Sequence, residues 1–233
     1  MKVLAGTSGY SYKEWKGSFY PEGLPAKEML RYYAERFGTV EINNTFYQLP
    51  NRTTLARWTE EVPEAFVFVL KASRRMTHEQ KLKDSGETLS SFFENASVLG
   101  KRLGPVLFQL PPFLRKDVPR LRDFLAQVKE GRRVAVEFRH TSWYDDEVYE
   151  ALGSRGAALC IADSEEQGEA PLVPTAPWGY LRLRRQDYVD RDLAKWSERI
   201  RGQAWDEAFV FFKHEDEATG PKLAARFLAV ARG

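Results

Sequence analysis

The 233-residue sequence predicts an α/β protein folded as a (β/α)8 TIM barrel, one closed parallel sheet ringed by helices. Three observations predict it. Eight short runs are nearly continuous in Val, Leu, Ile, Ala and Phe, the pattern of strands covered on both faces. Segments with helical spacing separate them. Eight strand–helix repeats with right-handed crossovers are the number that closes a barrel. A doubly wound open sheet is the runner-up. Such sheets usually have fewer strands, and the first βα turn, GTSGYSYKEW, lacks the G-x-G-x-x-G of a dinucleotide loop.

The predicted strands are, in order, KVLAG (2–6), TVEIN (39–43), FVFVLKA (66–72), PVLFQLP (105–111), RVAVEFRH (133–140), AALCIAD (157–163), GYLRLR (179–184) and AFVFFKH (208–214). A first helix places Met29, Leu30, Tyr33 and Phe37 on one face, and a second Leu55, Trp58 and Val62. Leu89, Phe92, Phe93, Ala96, Leu99 and Leu103 form one long stripe; Leu121, Phe124, Leu125 and Val128 form another. Val148 and Leu152 mark a short helix that Asp145 can cap. Leu193, Trp196 and Ile200 define the next, and Pro221 opens the last, ahead of Leu223, Phe227 and Leu228. After strand six, SEEQGEAPLVPTAPW is too rich in Gly and Pro for a regular helix, so that helix is expected to be missing. No linker composition divides the chain, which reads as one domain over 1–233.

Composition narrows the function classes. A net charge of +2 gives no global pull toward nucleic acid or membrane, and no stretch approaches 18 apolar residues. The N-terminal apolar run is too short for a secretory signal, so a cytoplasmic protein is expected. A single cysteine, Cys160, allows no internal disulfide and reads as a small buried hydrophobe.

Barrel chemistry sits at the C-terminal ends of the strands, and side chains alternate inward and outward with period two. Polar residues gather there. Strand one ends in Thr7 and Ser8; strand two gives Glu41 and Asn43 on one face; strands three and four give Lys71 and Gln109. Strand five gives Glu137 and Arg139 on one face, strand six Asp163, strand seven Arg182 and Arg184, and strand eight Lys213 or His214. Burying these groups between barrel and helices would cost several kcal/mol each unless paired, on the order expected for desolvated ions. Pointing them into the barrel mouth avoids that cost. The competing reading is a plug of buried salt bridges, Glu137 with Arg139 or Lys71 and Asp163 with Arg182. Aromatics of the strand-end loops (Tyr10, Tyr12, Trp15, Phe19, Tyr20, Phe46, Tyr47, Trp143 and Tyr144) either wall a pocket or pack over the rim. The strand-three loop is basic, with Arg74, Arg75, Lys81 and Lys83. Strand-end cations outnumber acids, which favours an anionic ligand.

The motifs GTSGYSYKEWKGSFYP, FGTVEINNTFYQLP, LGPVLFQLPP, AVEFRHTSW and CIAD, in this order, resemble the YecE-like proteins, a family labelled a domain of unknown function. The resemblance runs from about residue 4 to the C-terminal helix. It implies a TIM barrel with a structural likeness to phosphodiester-cleaving barrels such as apurinic endonucleases, and no established reaction. The family's recurrent pocket positions fall on Tyr10, Glu41, Asn43, Lys71, Gln109, Glu137, Arg139, Trp143 and Asp163. The RLRRQDY and FFKHEDEATG segments depart from the family's commonest pattern, so what those loops select is expected to differ.

Three readings follow. In the first, the barrel is an enzyme (a hydrolase, lyase or isomerase) or a binder for a small anionic, phosphorylated or sugar-like molecule. Glu41 and Glu137 are then the acid and base, with pKa values driven apart. Lys71 and Asp163 complete the catalytic set. Tyr10, Asn43, Gln109, Arg139, Trp143, Arg182, Lys213 and His214 bind substrate. In the second, it is a nucleic-acid binder or nuclease that grips a backbone through Arg74, Arg75, Lys81 and Arg184. In the third, the polar layer only plugs the barrel. No resident cofactor is expected. A divalent metal on Glu41, Glu137, Asp163 and His140 or His214 is the weaker alternative, because no tight ligand spacing exists and nearby cations oppose it.

Overall fold

The computed structural model describes residues 1–166, 168–214 and 216–232. Where the sequence predicts a closed barrel, eight parallel strands form a near-closed one: β1 (Lys2–Thr7), β2 (Thr39–Ile42), β3 (Val67–Lys71), β4 (Leu103–Gln109), β5 (Val134–Glu137), β6 (Ala158–Ser164), β8 (Trp178–Leu183) and β9 (Glu207–Phe212). The order around the sheet is β1-β9-β8-β6-β5-β4-β3-β2. A two-residue strand, β7 (Gly168–Glu169), folds back antiparallel on β6. It occupies the place of the missing helix, and the chain reaches β8 without one.

The helices are α1 (Met29–Ala34), α2 (Arg52–Glu60), α3 (Gly86–Ala96), α4 (Val118–Gln127), α5 (Asp146–Gly153), α6 (Asp190–Arg201) and α7 (Thr219–Arg232). Asp145 caps α5 as expected, accepting from the Glu147 N–H at 3.1 Å. The stripe predicted from Leu89 to Leu103 is broken. Gly100 has φ +55°, a conformation that suits glycine, and the chain turns there so that Leu103 begins β4. The last helix starts at Thr219, two residues before Pro221.

Two apolar layers hold the barrel. The larger lies between strands and helices and takes the outward residues, including Val40, Phe68, Phe108, Val136, Ile161 and Phe212. The smaller fills the interior with Val69, Leu107, Ala135, Cys160, Tyr180 and Phe211. Cys160 is therefore the buried small hydrophobe expected, its thiol pushed well up by burial.

Closure is unequal around the ring. β1 and β9 pair through a six-residue ladder from Lys2↔Glu207 to Thr7↔Phe212. Among the described residues no ladder joins β1 to β2; they are bridged at Ser8↔Glu41, where the Gly9 N–H donates to the Glu41 carbonyl at 2.7 Å. Below that bridge the buried Tyr33 hydroxyl of α1 stitches the seam. It accepts from the Thr7 N–H at 2.8 Å and donates to the Thr39 carbonyl at 3.0 Å. Gly6 makes this approach feasible, since a Cβ there would collide with the Thr39 carbonyl oxygen.

Candidate functional site

Period-two alternation carries each inward strand position up to the mouth, and the polar side chains there form two tiers. The lower tier is built on Arg182, a fully buried guanidinium on β8. Its Nη2 reaches Glu41 Oε1 at 2.9 Å and its Nη1 reaches Glu137 Oε2 at 2.6 Å, so one cation bridges carboxylates from opposite sides of the ring. Glu41 also accepts from Ser8 Oγ at 2.7 Å, Asn43 Nδ2 at 3.2 Å and the Tyr180 hydroxyl at 2.6 Å. Glu137 accepts from Gln109 Nε2 at 2.7 Å and Arg139 Nε at 3.2 Å. Gln109 passes the network on, its Oε1 accepting from Lys71 Nζ at 2.9 Å. Such a chain satisfies the buried charges, which is the condition for tolerating them.

The electrostatics follow. Burial alone would raise both carboxyls, but Arg182 outweighs it. Glu137 is held at about 2, with help from Arg139, and Glu41 is lowered as well, with hydrogen bonds from Tyr180 and Ser8. Burial would lower Arg182, and the two carboxylates drive it well up instead. The expected split between an acid and a base therefore does not occur. Both carboxylates move the same way, because one buried cation serves both.

The upper tier stands above it, with Arg139 and Arg184 two residues past Glu137 and Arg182. Arg139, Ser164, Arg184, Lys213 and His214 surround a cavity of about 500 Å³, with Glu165, Glu166, Gln186 and Asp216 on its margin. Among the described residues no ion pair joins the Arg184 guanidinium to a carboxylate. Burial and then the Arg182 charge disfavour its protonated form. Burial also lowers His214, whose buried Nε2 has no hydrogen-bond partner among the described residues. Lys71 is brought down to about 8, first by burial and then by Arg182. His78 is lowered by burial and by the charges of Lys71, Arg74 and Arg139. The cavity sets Arg139, Arg184 and Lys213 against Glu165, Glu166 and Asp216 at its margin, and Arg184, disfavoured by burial and by Arg182, is the cation that an anion placed there would relieve.

Of the residues singled out from the sequence, Glu41, Asn43, Lys71, Gln109, Glu137, Arg139 and Arg182 converge in one hydrogen-bonded network, while Lys213 and His214 line the cavity above it. Three do not join them. Asp163 follows Leu159 and Ile161 onto the outward face, where it accepts from the Tyr188 hydroxyl at 2.6 Å; the inward residues of β6 are Cys160, Ala162 and Ser164. Trp143 is buried in the outer layer, stacked on Phe138 at 4.7 Å, with its Nε1 donating to the Leu114 carbonyl at 2.7 Å. Tyr10 opens onto a separate cavity of about 420 Å³ beside α1 and α2, with Arg57, Trp58 and Glu61. Trp15 and Tyr20 are buried under the first loop, which packs over the rim. Arg74, Arg75 and Lys83 are exposed.

Sequence reasoning placed Arg184 on the inward face yet gave the substrate role to Arg182, the more deeply buried of the pair. It did not single out Tyr180, which stands two residues before Arg182 in the same phase and donates to Glu41. It also missed Phe46 as the ring under Lys71, 4.3 Å from Nζ. Among the described residues no group of three His, Cys, Asp or Glu side chains is placed to hold a metal ion. The set considered for one does not fit, since Glu41 and Glu137 are engaged by Arg182 and Asp163 faces away. Among the described residues no helix is long and apolar enough to cross a membrane.

Comparison with known proteins agrees with this architecture. The profile of a family described as "Protein of unknown function DUF72" matches residues 4–233. The UPF0759 protein YunF of Bacillus subtilis (strain 168) is 27% identical, over 92% of this chain and 79% of its own length. The crystal structure of a DUF72 family protein from Thermotoga maritima MSB8 superposes with a TM-score of 0.88 at 27% identity, covering 100% of both chains. One from Enterococcus faecalis V583 gives 0.81 at 20% identity, over 99% of this chain and 96% of that one, a likeness of fold alone.

Proposed function

We propose a function for this chain, which belongs to the DUF72 family of proteins of unknown function, from the upper tier of its barrel mouth: it takes a small anionic, phosphorylated or sugar-phosphate-like molecule there. One observation carries the reading. Arg184, half-buried and with no ion-pair partner among the described residues, shares a cavity of about 500 Å³ with Arg139, Lys213 and His214, above carboxylates already committed to Arg182. A guanidinium presents a planar fork that suits phosphate, and a second cation beside it raises both affinity and encounter rate. The lower tier supplies rigidity. Its carboxylates, held by Arg182, do not swing up to pair with Arg184.

The test is isothermal titration of the full chain with inorganic phosphate at low and high salt. Binding that weakens as salt rises is expected, with Arg184→Ala about tenfold weaker, or about 1.4 kcal/mol. Anion binding should draw in protons at Lys71, His78 and His214, since a negative charge raises each lowered pKa. The measured heat should therefore differ between buffers of different ionisation enthalpy. No heat and no rise in Tm at phosphate concentrations of about 10 mM would dispose of the reading.

A further inference from the structure

Lys71 ends β3 at the top of the barrel, and its surroundings differ from those of the other cations at the mouth. Among the described residues it forms no ion pair. Its Nζ instead donates to an amide oxygen, Gln109 Oε1, at 2.9 Å. That amide cannot turn, because its Nε2 is committed to Glu137 Oε1 at 2.7 Å. The Phe46 ring covers the amine at 4.3 Å, and the His78 ring meets Phe46 edge-on at 5.0 Å. The side chain is only partly buried, and Gln109 and Glu137 link it to Arg139 at the cavity. The charged groups acting on it are Arg182 and Arg184, which oppose its proton, and Glu137 and Glu41, which favour it but are shared with Arg182. A partly desolvated amine beside other cations and under an aromatic ring is the setting that makes lysine nucleophilic near neutral pH.

We infer that the Lys71 amine attacks the carbonyl carbon of a small phosphorylated aldehyde or ketone whose phosphate is held by Arg139, Arg184 and Lys213. This rests on the reading of the mouth as an anion site. The amine nitrogen forms a C–N bond as the carbonyl π bond opens, and a proton passes from nitrogen to the former carbonyl oxygen. A further proton from solvent lets that hydroxyl leave as water. One amine, one carbonyl compound and one proton become one protonated imine and one water, with no change of oxidation state. The positive imine replaces the ammonium in the same cradle, against Gln109 Oε1 and the Phe46 face. Arg184 and Arg139 keep the phosphate from drawing the amine into an ion pair.

The experiment uses pyridoxal 5′-phosphate as the phosphorylated aldehyde, sodium borohydride to reduce any imine to a stable amine, and peptide mass spectrometry to find it. At pH 8 an ordinary lysine is deprotonated to less than about 1%, whereas Lys71 is about half deprotonated, so at least about tenfold preference for Lys71 is expected. The adduct should be suppressed by inorganic phosphate, and its rate should be half-maximal near pH 8. Lys71→Arg should abolish it with circular dichroism unchanged, and the wild-type map decides the matter if that variant fails to fold. If phosphate binds by titration but label scatters over surface lysines, the nucleophile falls and the anion site stands. Equal labelling by pyridoxal without its phosphate overturns the phosphorylated substrate. If phosphate neither binds nor protects, the anion site itself falls.

Discussion

Arg182 and Arg184 stand two residues apart on one strand, point into the same barrel and lead opposite lives. Arg182 bridges Glu41 and Glu137 at 2.9 and 2.6 Å, is sealed from solvent, and has its charge strongly favoured. Arg184 opens onto a cavity beside Arg139 and Lys213, and its charge is disfavoured. The lower arginine completes the protein's own network; among the described residues the upper one has no ion-pair partner. A polar residue in a barrel interior is thus not evidence of a site by itself. What separates the two arginines is whether a carboxylate is already paired with the guanidinium.

The contrast breaks most decisively at the lower tier. Arg182→Met leaves two buried carboxylates facing one another and should cost about 3–5 kcal/mol in urea unfolding. A loss under about 1 kcal/mol would mean that the tiers do not differ as described.

Acid titration should give the next largest effect. The Glu137 pKa is depressed in the folded state from 4.5 to about 2, and that of Glu41 is lowered too. Their contribution is therefore full above the unfolded value and lost as pH falls from about 4.5 towards 2, amounting to a few kcal/mol on the order that such shifts imply. In Arg182→Met the sign should reverse. Burial then raises both carboxyls, and the variant should gain stability as pH falls from neutrality. Unfolding curves collected across pH for both proteins check this.

Tyr33→Phe offers a yardstick from outside either tier. It removes a buried hydroxyl that satisfies Thr7 and Thr39 across the seam, and should cost about 1–3 kcal/mol in the same assay. The smallest effect on stability belongs to Arg184→Ala. Removing a cation whose charge the fold disfavours should leave unfolding within about 1 kcal/mol of the parent while weakening phosphate binding. A large destabilisation would move Arg184 into the structural tier.

The barrel was legible in the sequence because its strands are buried on both faces and read as unbroken apolar runs, and because period two makes Glu137 and Arg139, or Arg182 and Arg184, share a side. The gap after strand six was legible in its prolines and glycines. Asp163 failed for a local reason. Seven strands placed their polar ends in the inward phase, but β6 places Ala162 and Ser164 there and turns Asp163 out to Tyr188. One carboxylate at a strand end carries no phase of its own. Trp143 failed because a 3-10 turn at Thr141–Trp143 folds the loop back under the rim. The pairing of one arginine with two carboxylates from β2 and β5 was not legible, because both readings of those charges, plug and pocket, fit the same residues.

The unequal seam bears on how the chain is made. β1 shares its long ladder with β9, whose partners lie more than 200 positions away, and is joined to the neighbour that follows it by a bridge and a tyrosine hydroxyl. During synthesis the first strand meets its long-ladder partner only once β9 has been made. Ring completion is therefore a late step with a large loop-closure entropy, and the rate of folding should be governed by the arrival of the C-terminal segment.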